Sequence, residues 1–487
     1  MSQNSLKTDN ASRLPWREKY SHLLLPVLLF FTDYAAIVLA EKLAYQLRRS
    51  WLPIAAPGFH IPDIYIYAIV PTIFLCFLHM AHTHIRAMPF WKLAASVFQT
   101  TLYGMLLILF LMYFAKVSEV VSRLFVGMTW VFTFTFILGF RYALKQYLNR
   151  HKLLQIPVLI VGAGKTAELV LKSFDHDSGF GYQVIGLIDD HPISEKLARE
   201  FKILGGFNDI ENVLKSSGIQ HVMITAPGLL PADLLSLVNR IQPYVKHISF
   251  VPNLIGMPVG NLEIVSLINE NIMMIKVKNN LASATNRFFK RVFDIVVSLI
   301  CLVFALPLGI VLAAAIYIDS PGPVIFAHLR IGQRKKVFPC YKFRTMVPDA
   351  EAILREYLME HPEAEEEWNH SFKLKDDPRV TRIGRFLRRT SLDELPQFIN
   401  VLKGDMSLVG PRPIVRVEIP KYGEYFHDFC LVPPGITGMW QVNGRSDTTY
   451  AERVQMDSWY VRNWSIWIDI VYLFKTLKVV VSGKGAY

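Results

Sequence analysis

Two adjacent acids, Asp393 and Glu394, sit in the stretch Thr390-Ser391-Leu392-Asp393-Glu394-Leu395-Pro396-Gln397, directly behind a run of arginines. Arg379, Arg382, Arg385 and Arg388 recur every third residue, with Arg389 beside them. Arginine stays charged and grips phosphate oxygens two at a time. Among such cations, a carboxylate pair suits one group as a nucleophile toward phosphorus and the other as a ligand for Mg²⁺ bridging phosphates. The rival reading is a capping box, with Ser391 as N-cap and Glu394 at N3. Pro396 argues against it, because it would fall at N5, where its missing N–H breaks the first turn. The spacing predicts instead a helix that starts near Pro396, runs to Leu402 and stops at Lys403-Gly404. Lys342 and Arg344 are alternate residues of an extended segment ending at Met346, so both cations fall on one face. Gly410-Pro411-Arg412-Pro413 makes a rigid turn that fixes one more guanidinium. Arg382 and Arg385 serve equally well as a helix face on anionic headgroups. Glu363–Glu367 reads as a solvated acidic run.

These groups need a scaffold, and the composition bounds it. The chain has 487 residues, is 52% hydrophobic and only 19% charged, and carries a net charge of +12. That charged fraction is below the roughly 25% of soluble domains, which excludes a single water-soluble globule. Abundant apolar and aromatic residues exclude disorder. The charge is uneven: +8 over residues 1–150, −1 over 151–286 and +5 over 287–487. No zinc finger, RRM or KH signature accompanies it, so nucleic acid is not the expected partner. Cys76, Cys301, Cys340 and Cys430 form no close pair, which argues for reduced thiols.

Four apolar runs, Leu23–Ala44, Ile64–His84, Leu93–Ala115 and Leu124–Leu144, each have the length of a spanning helix. Asp33 inside the first run is read as reaching the headgroups from near a helix end. His79, His82 and His84 are read as marking a helix end at the interface. Beside these runs one side holds ten Lys/Arg (Lys7, Arg13, Arg17, Lys19, Arg86, Lys92, Arg141, Lys145, Arg150, Lys152). The other side holds four (Arg48, Arg49, Lys116, Arg123). The bias puts both ends of a four-span bundle, residues 1–150, in the cytoplasm.

Residues 151–280 read as a Rossmann-like α/β domain. Expected strands are Ile156–Val161, Val184–Ile188, Val222–Thr225 and Ile248–Val251. Gly162-Ala163-Gly164 with Asp189-Asp190 about 25 residues on could hold a dinucleotide, or could simply be the tight turn such a fold needs. The chain has no Tyr-x-x-x-Lys, which argues against a short-chain dehydratase or epimerase. The run Val292–Ile318 has basic flanks on both sides: Arg287, Lys290 and Arg291 before it, Arg330, Arg334, Lys335 and Lys336 after it. Pro307 sits near its middle. A helix over about 288–318 that enters the membrane, bends at Leu306-Pro307 and returns explains both features. Asp294 would then lie at headgroup level. Trp459, Tyr460, Trp464, Trp467 and Tyr472, interleaved with Arg453, Arg462 and Lys475, suggest an interfacial helix, with a core role as the rival.

Residues 281–487 resemble the polyprenyl-phosphate hexose-1-phosphate transferases, the large monotopic phosphoglycosyl transferases. The matching motifs are Tyr341–Met346, Thr390–Gln397, Asn400–Pro413 and Pro434–Arg445, and the C-terminal Lys484–Tyr487 follows the galactose-transferring members. The resemblance implies a membrane protein with an α-helical four-span bundle, a Rossmann-like cytoplasmic domain and a monotopic α/β catalytic domain with a re-entrant helix. It implies transfer of hexose-1-phosphate, for this chain galactose-1-phosphate, from a UDP-sugar to undecaprenyl phosphate. Asp393 would form an aspartyl sugar-phosphate and release UMP, and Glu394 would hold Mg²⁺. Lys342, Arg388 and Arg412 match the family's phosphate and nucleotide contacts, while Leu306 stands where the family often has Ser. The setting implied is the cytoplasmic face of a bacterial inner membrane, at the start of O-antigen, capsule or exopolysaccharide synthesis, and the large members are compatible with a homodimer.

Overall fold

The computed structural model describes residues 21–50, 61–84, 88–114, 123–176, 181–190, 195–252, 262–267, 272–277, 280–361, 363, 374, 377–443 and 448–482. Outside the described residues lie Lys7, Arg13, Arg17, Lys19, Arg86 and Lys116 of the charge count, Glu365–Glu367, Arg445 and Lys484–Tyr487. The chain divides into two compact units near residue 253.

The first unit opens with helices α1 (Ser21–Ser50), α2 (Val70–Met80), α3 (Phe90–Phe114) and α4 (Arg123–Arg150). Three of them are long and apolar enough to cross a membrane. The second expected span is shorter: a π-helical turn, Tyr65–Ile69, runs into α2, and the apolar helix over Tyr65–Met80 falls below spanning length. Ala36 and Ile37 of α1, Phe74 and Leu78 of α2, Val97 of α3 and Ile137 of α4 form one buried cluster.

Asp33 departs from the expectation of a headgroup contact. It is fully buried and accepts from Arg141 Nε at 2.8 Å, from a second Arg141 nitrogen, and lies 2.8 Å from His84 Nε2. Arg141 also donates to the Thr83 carbonyl at 3.0 Å. His84 therefore belongs to an ion-pair network joining α1, α4 and the turn after α2. The sequence could not show this, since the partners lie 51 and 108 residues apart.

The middle of the chain alternates strand and helix: β1 (Ile156–Val161), α5 (Lys165–His176), β2 (Tyr182–Ile188), α6 (Glu195–Glu200), β3 (Ile203–Gly205), α7 (Ile210–Ser217), β4 (His221–Ile224), α8 (Pro231–Ile241) and β5 (His247–Phe250). All five strands are parallel, in the order β3-β2-β1-β4-β5. Strand alternation sends Leu159 and Val161 to one face, with Leu214 and Leu237, and Ile160 to the other, with Leu171 and Leu197. The sheet is thus covered on both faces, as the buried strand runs required. Asp189 turns into the glycine loop, where its carboxylate accepts from the Ala163 nitrogen at 2.5 Å.

In the second unit, an antiparallel pair β6 (Leu262–Leu267) and β7 (Ile272–Val277) precedes α9 (Ala284–Asp319), a 36-residue helix containing Pro307. By length and composition α9 too could cross a membrane. A hairpin follows, β8 (Ile325–Ile331) and β9 (Val337–Phe343), then α10 (Ala350–Glu360), α11 (Arg382–Thr390) and α12 (Gln397–Lys403). The rest comprises β10 (Ser407–Val409), α13 (Ile419–Tyr422), α14 (Phe426–Leu431), β11 (Gly435–Thr437), α15 (Met439–Asn443), α16 (Tyr450–Asn463) and α17 (Ile466–Ser482). β10 and β11 pair in parallel.

Both ends of α9 pack into this unit. Lys290, Asp294 and Ser298, four residues apart, form a buried polar stripe. Lys290 Nζ donates to Asp469 Oδ2 at 2.8 Å and to the Val409 carbonyl at 3.2 Å; Trp464 Nε1 donates to the same carboxylate at 3.0 Å. The Tyr460 hydroxyl lies 2.7 Å from Asp469 Oδ1. Asp294 accepts from the Leu408 nitrogen at 3.3 Å, so it is a core residue and not a headgroup contact. Tyr460, Trp464 and Tyr472 are buried in the main cluster with Val401, Leu408 and Val409, which settles those aromatics as core and not as an interfacial row. At the other end Leu312 and Ile316 pack against Phe343 and Leu387.

Removing one member of a buried ion pair leaves the other charge stranded, at a cost of about 3–5 kcal/mol. Asp33→Ala is therefore expected to lower the thermal midpoint of the detergent-solubilised protein sharply. Adding Arg141→Met should restore part of the loss. An unchanged midpoint in Asp33→Ala would contradict the network.

Candidate active site

The two acids are placed by what stands on either side of them. α11 begins at Thr381, whose hydroxyl accepts from the Gly384 nitrogen at 2.9 Å. Gly384 lets the helix close onto the preceding segment, since a Cβ there would lie 2.0 Å from the Thr345 carbonyl oxygen. The helix stops at Ser391, a non-glycine residue in the left-handed region at φ 56°. A single 3-10 turn, Leu392–Glu394, then carries Asp393 and Glu394. α12 follows at once, with Pro396 at its N-cap and Gly404 closing it at φ 91°. The predicted start and stop are both met. Leu392 and Leu395 pack on the Leu312–Ile316–Phe343–Leu387 cluster, so the acidic turn rests on the far end of α9.

Lys342 reaches this turn from β9. Its Nζ donates to Glu394 Oε1 at 2.7 Å and to Asp393 Oδ2 at 3.3 Å. One ammonium thus bridges both carboxylates. Burial works against the Lys342 charge, but Glu394 and Asp393 outweigh it and hold its pKa above the usual value. The acids respond in opposite directions. Burial raises the Asp393 pKa despite Lys342. Burial would raise Glu394 as well, but Lys342 and Arg412 overcome it and lower that carboxyl.

Glu394 and Lys342 line a small cleft together with Arg330, Cys340, Arg412 and Gln441. Arg412 projects from the Gly410–Pro413 turn, with its guanidinium 5.7 Å from the Trp440 ring centre. That turn is stitched to β11 by the Gly410 nitrogen on the Thr437 carbonyl, 3.0 Å, and by the Gly435 nitrogen on the Pro411 carbonyl, 2.8 Å. Pro411 is buried beneath Arg412; Pro413, also buried, lines the cleft.

The other predicted cations are used differently. Arg344 does not share the face of Lys342, because β9 ends at Phe343 and alternation ends with it. Its buried guanidinium donates to the Ser320 carbonyl at the C-terminus of α9. Arg388 is half-buried, donates to Thr345 Oγ1 at 3.0 Å and acts on Asp393 through its charge. Arg379 forks onto Asp377 at 2.8 and 2.6 Å. Arg382, Arg385 and Arg389 are exposed. Pro307 lies within α9, away from these groups in sequence and exposed. Sequence reading missed Arg330, Cys340 and Gln441. The signal was there for the first two: in the β8–β9 register Arg330 faces Phe338 and His328 faces Cys340, so Arg330, Cys340 and Lys342 share one face.

The fit to Mg²⁺ can be tested on the donors present. Among the described residues no group of three or more His, Cys, Asp or Glu side chains could hold a metal alone. Glu394 nevertheless engages Lys342 through Oε1, leaving Oε2 for a cation. Mg²⁺ typically takes one or two carboxylates and completes its shell with phosphate oxygens and water. The residues fit a metal that arrives with its phosphates.

A nucleophilic carboxylate flanked by an ammonium and two guanidiniums, on a domain gripping a long apolar helix, defines a membrane-associated transferase of phosphorylated groups. The chain belongs to the bacterial sugar transferase family, which residues 285–483 match. Residues 82–252 match a family described as a CoA-binding domain. The chain is 38% identical to the undecaprenyl-phosphate galactose phosphotransferase of Salmonella typhimurium, across 82% of this chain and 83% of that one. It is 36% identical to the UDP-galactose-lipid carrier transferase of Erwinia amylovora, again across 82% and 83%. Against the UDP-glucose:undecaprenyl-phosphate glucose-1-phosphate transferase of Escherichia coli the identity is 31%, across 70% and 71%.

Lys342 holds both acids toward their charged forms, so removing it must raise their pKa values. In Lys342→Met the acid limb of the residual pH–rate profile is expected to move to higher pH. A profile that scales down without shifting would show that Lys342 does not tune the pair.

Proposed function

We propose that the chain transfers galactose-1-phosphate from UDP-galactose to undecaprenyl phosphate through an aspartyl sugar-phosphate, releasing UMP and starting a surface polysaccharide such as O-antigen, capsule or exopolysaccharide. The observation that carries this reading is the bridge from Lys342 to Asp393 and Glu394 at a cleft lined by Arg412. Asp393 attacks the β-phosphorus; its oxygen–phosphorus bond forms as the bond to the UMP oxygen breaks, and the electron pair leaves with UMP. The phosphate of the lipid then attacks the same phosphorus and frees Asp393. Lys342, Arg388 and Arg412 offset charge on the phosphates through both steps. Glu394 would hold Mg²⁺, which neutralises the diphosphate when bound. Galactose is supported by the names of the two relatives above at 38% and 36% identity, against 31% for the glucose enzyme.

The lipid phosphate lies at the bilayer surface, so the acids must be held there. The packing of α9 supports a helix that dips into the membrane and returns. Lys290, Asp294 and Ser298 near one end and Leu312 and Ile316 near the other are all buried in the same unit. A crossing helix would separate those two sets by the thickness of the bilayer. The charge bias beside the N-terminal spans supports placing that unit on the cytoplasmic side of the inner membrane, where UDP-sugars are.

Purified protein with undecaprenyl phosphate and a panel of UDP-sugars tests the reading. UMP release is expected with UDP-galactose, and none with any UDP-sugar would overturn it. Asp393→Asn should abolish both transfer and protein labelling from a radioactive UDP-sugar, and Glu394→Gln should shift the Mg²⁺ titration to higher concentrations. In intact cells Pro321→Cys should resist a periplasmic thiol reagent; rapid labelling would mean that α9 crosses the membrane.

A further inference from the structure

We propose that Arg330 binds the phosphate of the departing nucleotide and stabilises the charge that develops on it in the first half-reaction. This rests on the reaction assigned above and adds to it a residue and a direction. The hairpin register places Arg330, opposite Phe338, on the same face as Lys342, opposite Phe326. Phe338 and Lys342 stand four residues apart on β9, about 13 Å of strand at ~3.3 Å per residue. Both cations line the one cleft, with Cys340 between them and Arg412 on the opposing turn. The hairpin therefore carries a cation toward each end of the cleft.

The two ends differ in what holds them. Lys342 is shared by Asp393 and Glu394, so its charge is already matched. Arg330 donates one bond to the Pro413 carbonyl at 3.3 Å and keeps Glu418 only at 3.9 Å. Its guanidinium has five N–H donors in a planar fork, and its side chain is 21% exposed, enough to meet a ligand. In-line displacement at phosphorus sets the nucleophile and the leaving oxygen on opposite sides. With Asp393 at the Lys342 end, the UMP oxygen departs toward the Arg330 end. The bond that breaks is the one from the β-phosphorus to the bridging oxygen, whose electron pair stays on UMP. A guanidinium there meets that charge as it appears. The second half-reaction has a lipid phosphate as attacking group and no nucleotide, so it makes no such demand.

The two half-reactions can be read separately as isotope exchange on the full chain. Labelled UMP exchanges into UDP-galactose without lipid, and labelled undecaprenyl phosphate exchanges into the lipid diphosphate galactose without nucleotide. Arg330→Ala is expected to slow nucleotide exchange about a hundredfold, the loss typical of removing one transition-state donor. It should also weaken inhibition by UMP while leaving lipid exchange within about threefold. Arg330→Lys should recover part of the nucleotide exchange, since a cation returns. Equal loss of both exchanges in Arg330→Ala would mean that Arg330 merely braces the Pro413 turn, and would overturn the inference, as would unchanged nucleotide exchange. If the unaltered protein itself shows neither exchange, the aspartyl reading fails instead.

Discussion

The second unit depends on one constraint: a long apolar helix that must be held at both ends by the domain carrying the acids. Near one end the grip is polar. Arg291 donates to the Val401 and Leu402 carbonyls at 2.5 and 2.7 Å, closing the C-terminus of α12 with a cation, where the helix dipole favours one. At the far end Asp319 accepts from the Ile383 nitrogen at 3.1 Å, setting an anion at the N-terminus of α11. α11 and α12 are the two helices that flank the acidic turn. One helix thus fixes both, and the leucines on either side of Asp393 and Glu394 rest on its end. A carboxylate that must meet a phosphate at a membrane surface needs this rigidity, because misplacement by an ångström costs orders of magnitude in rate.

Charge is arranged with equal economy around the cleft. A single lysine serves two carboxylates, and the outcome is asymmetric: the Asp393 pKa goes up and that of Glu394 goes down. The raised one is the more basic and the better nucleophile, whereas the lowered one stays ionised and suits a cation. With Lys342, Arg412 and Arg330 bring more positive charge to the cleft than the two acids match, which suits a diphosphate. The arginines that look most like phosphate binders by spacing, Arg382, Arg385 and Arg389, are exposed and leave the cleft to others.

What the sequence made legible follows from the range of the interactions. Strand runs, the helix from Pro396 to Gly404 and the acid pair with Lys342 rest on local chemistry and fixed periodicity. The errors share a different cause. Asp33 and Asp294 were assigned to headgroups because their cations, Arg141 and Lys290, were not recognisable as partners from spacing alone. Tyr460, Trp464 and Tyr472 were taken for an interfacial row because burial depends on β10 and α9, far away in the chain. Arg344 was assigned to the cleft because its strand ends one residue earlier than the alternation assumed. Arg330 was read as a basic flank, although extending the alternation through the hairpin would have placed it beside Lys342.

The same distinction bears on whether α9 crosses. Judged on hydropathy its whole length is available, which makes it long enough to span. Judged on packing, the run without any buried residue is Leu299–Val311, bounded by Ser298 and Leu312. Thirteen residues of helix are about 20 Å, short of the ~30 Å hydrocarbon core. Pro307 sits inside that free run, where a lost hydrogen bond allows the axis to bend. Every charged side chain of the helix lies outside that run and is bonded to protein, so no charge has to enter lipid. A short, uncharged, proline-bearing run between two anchored ends can enter a membrane but lacks the length to reach the far side, which favours re-entry on grounds that hydropathy alone does not supply.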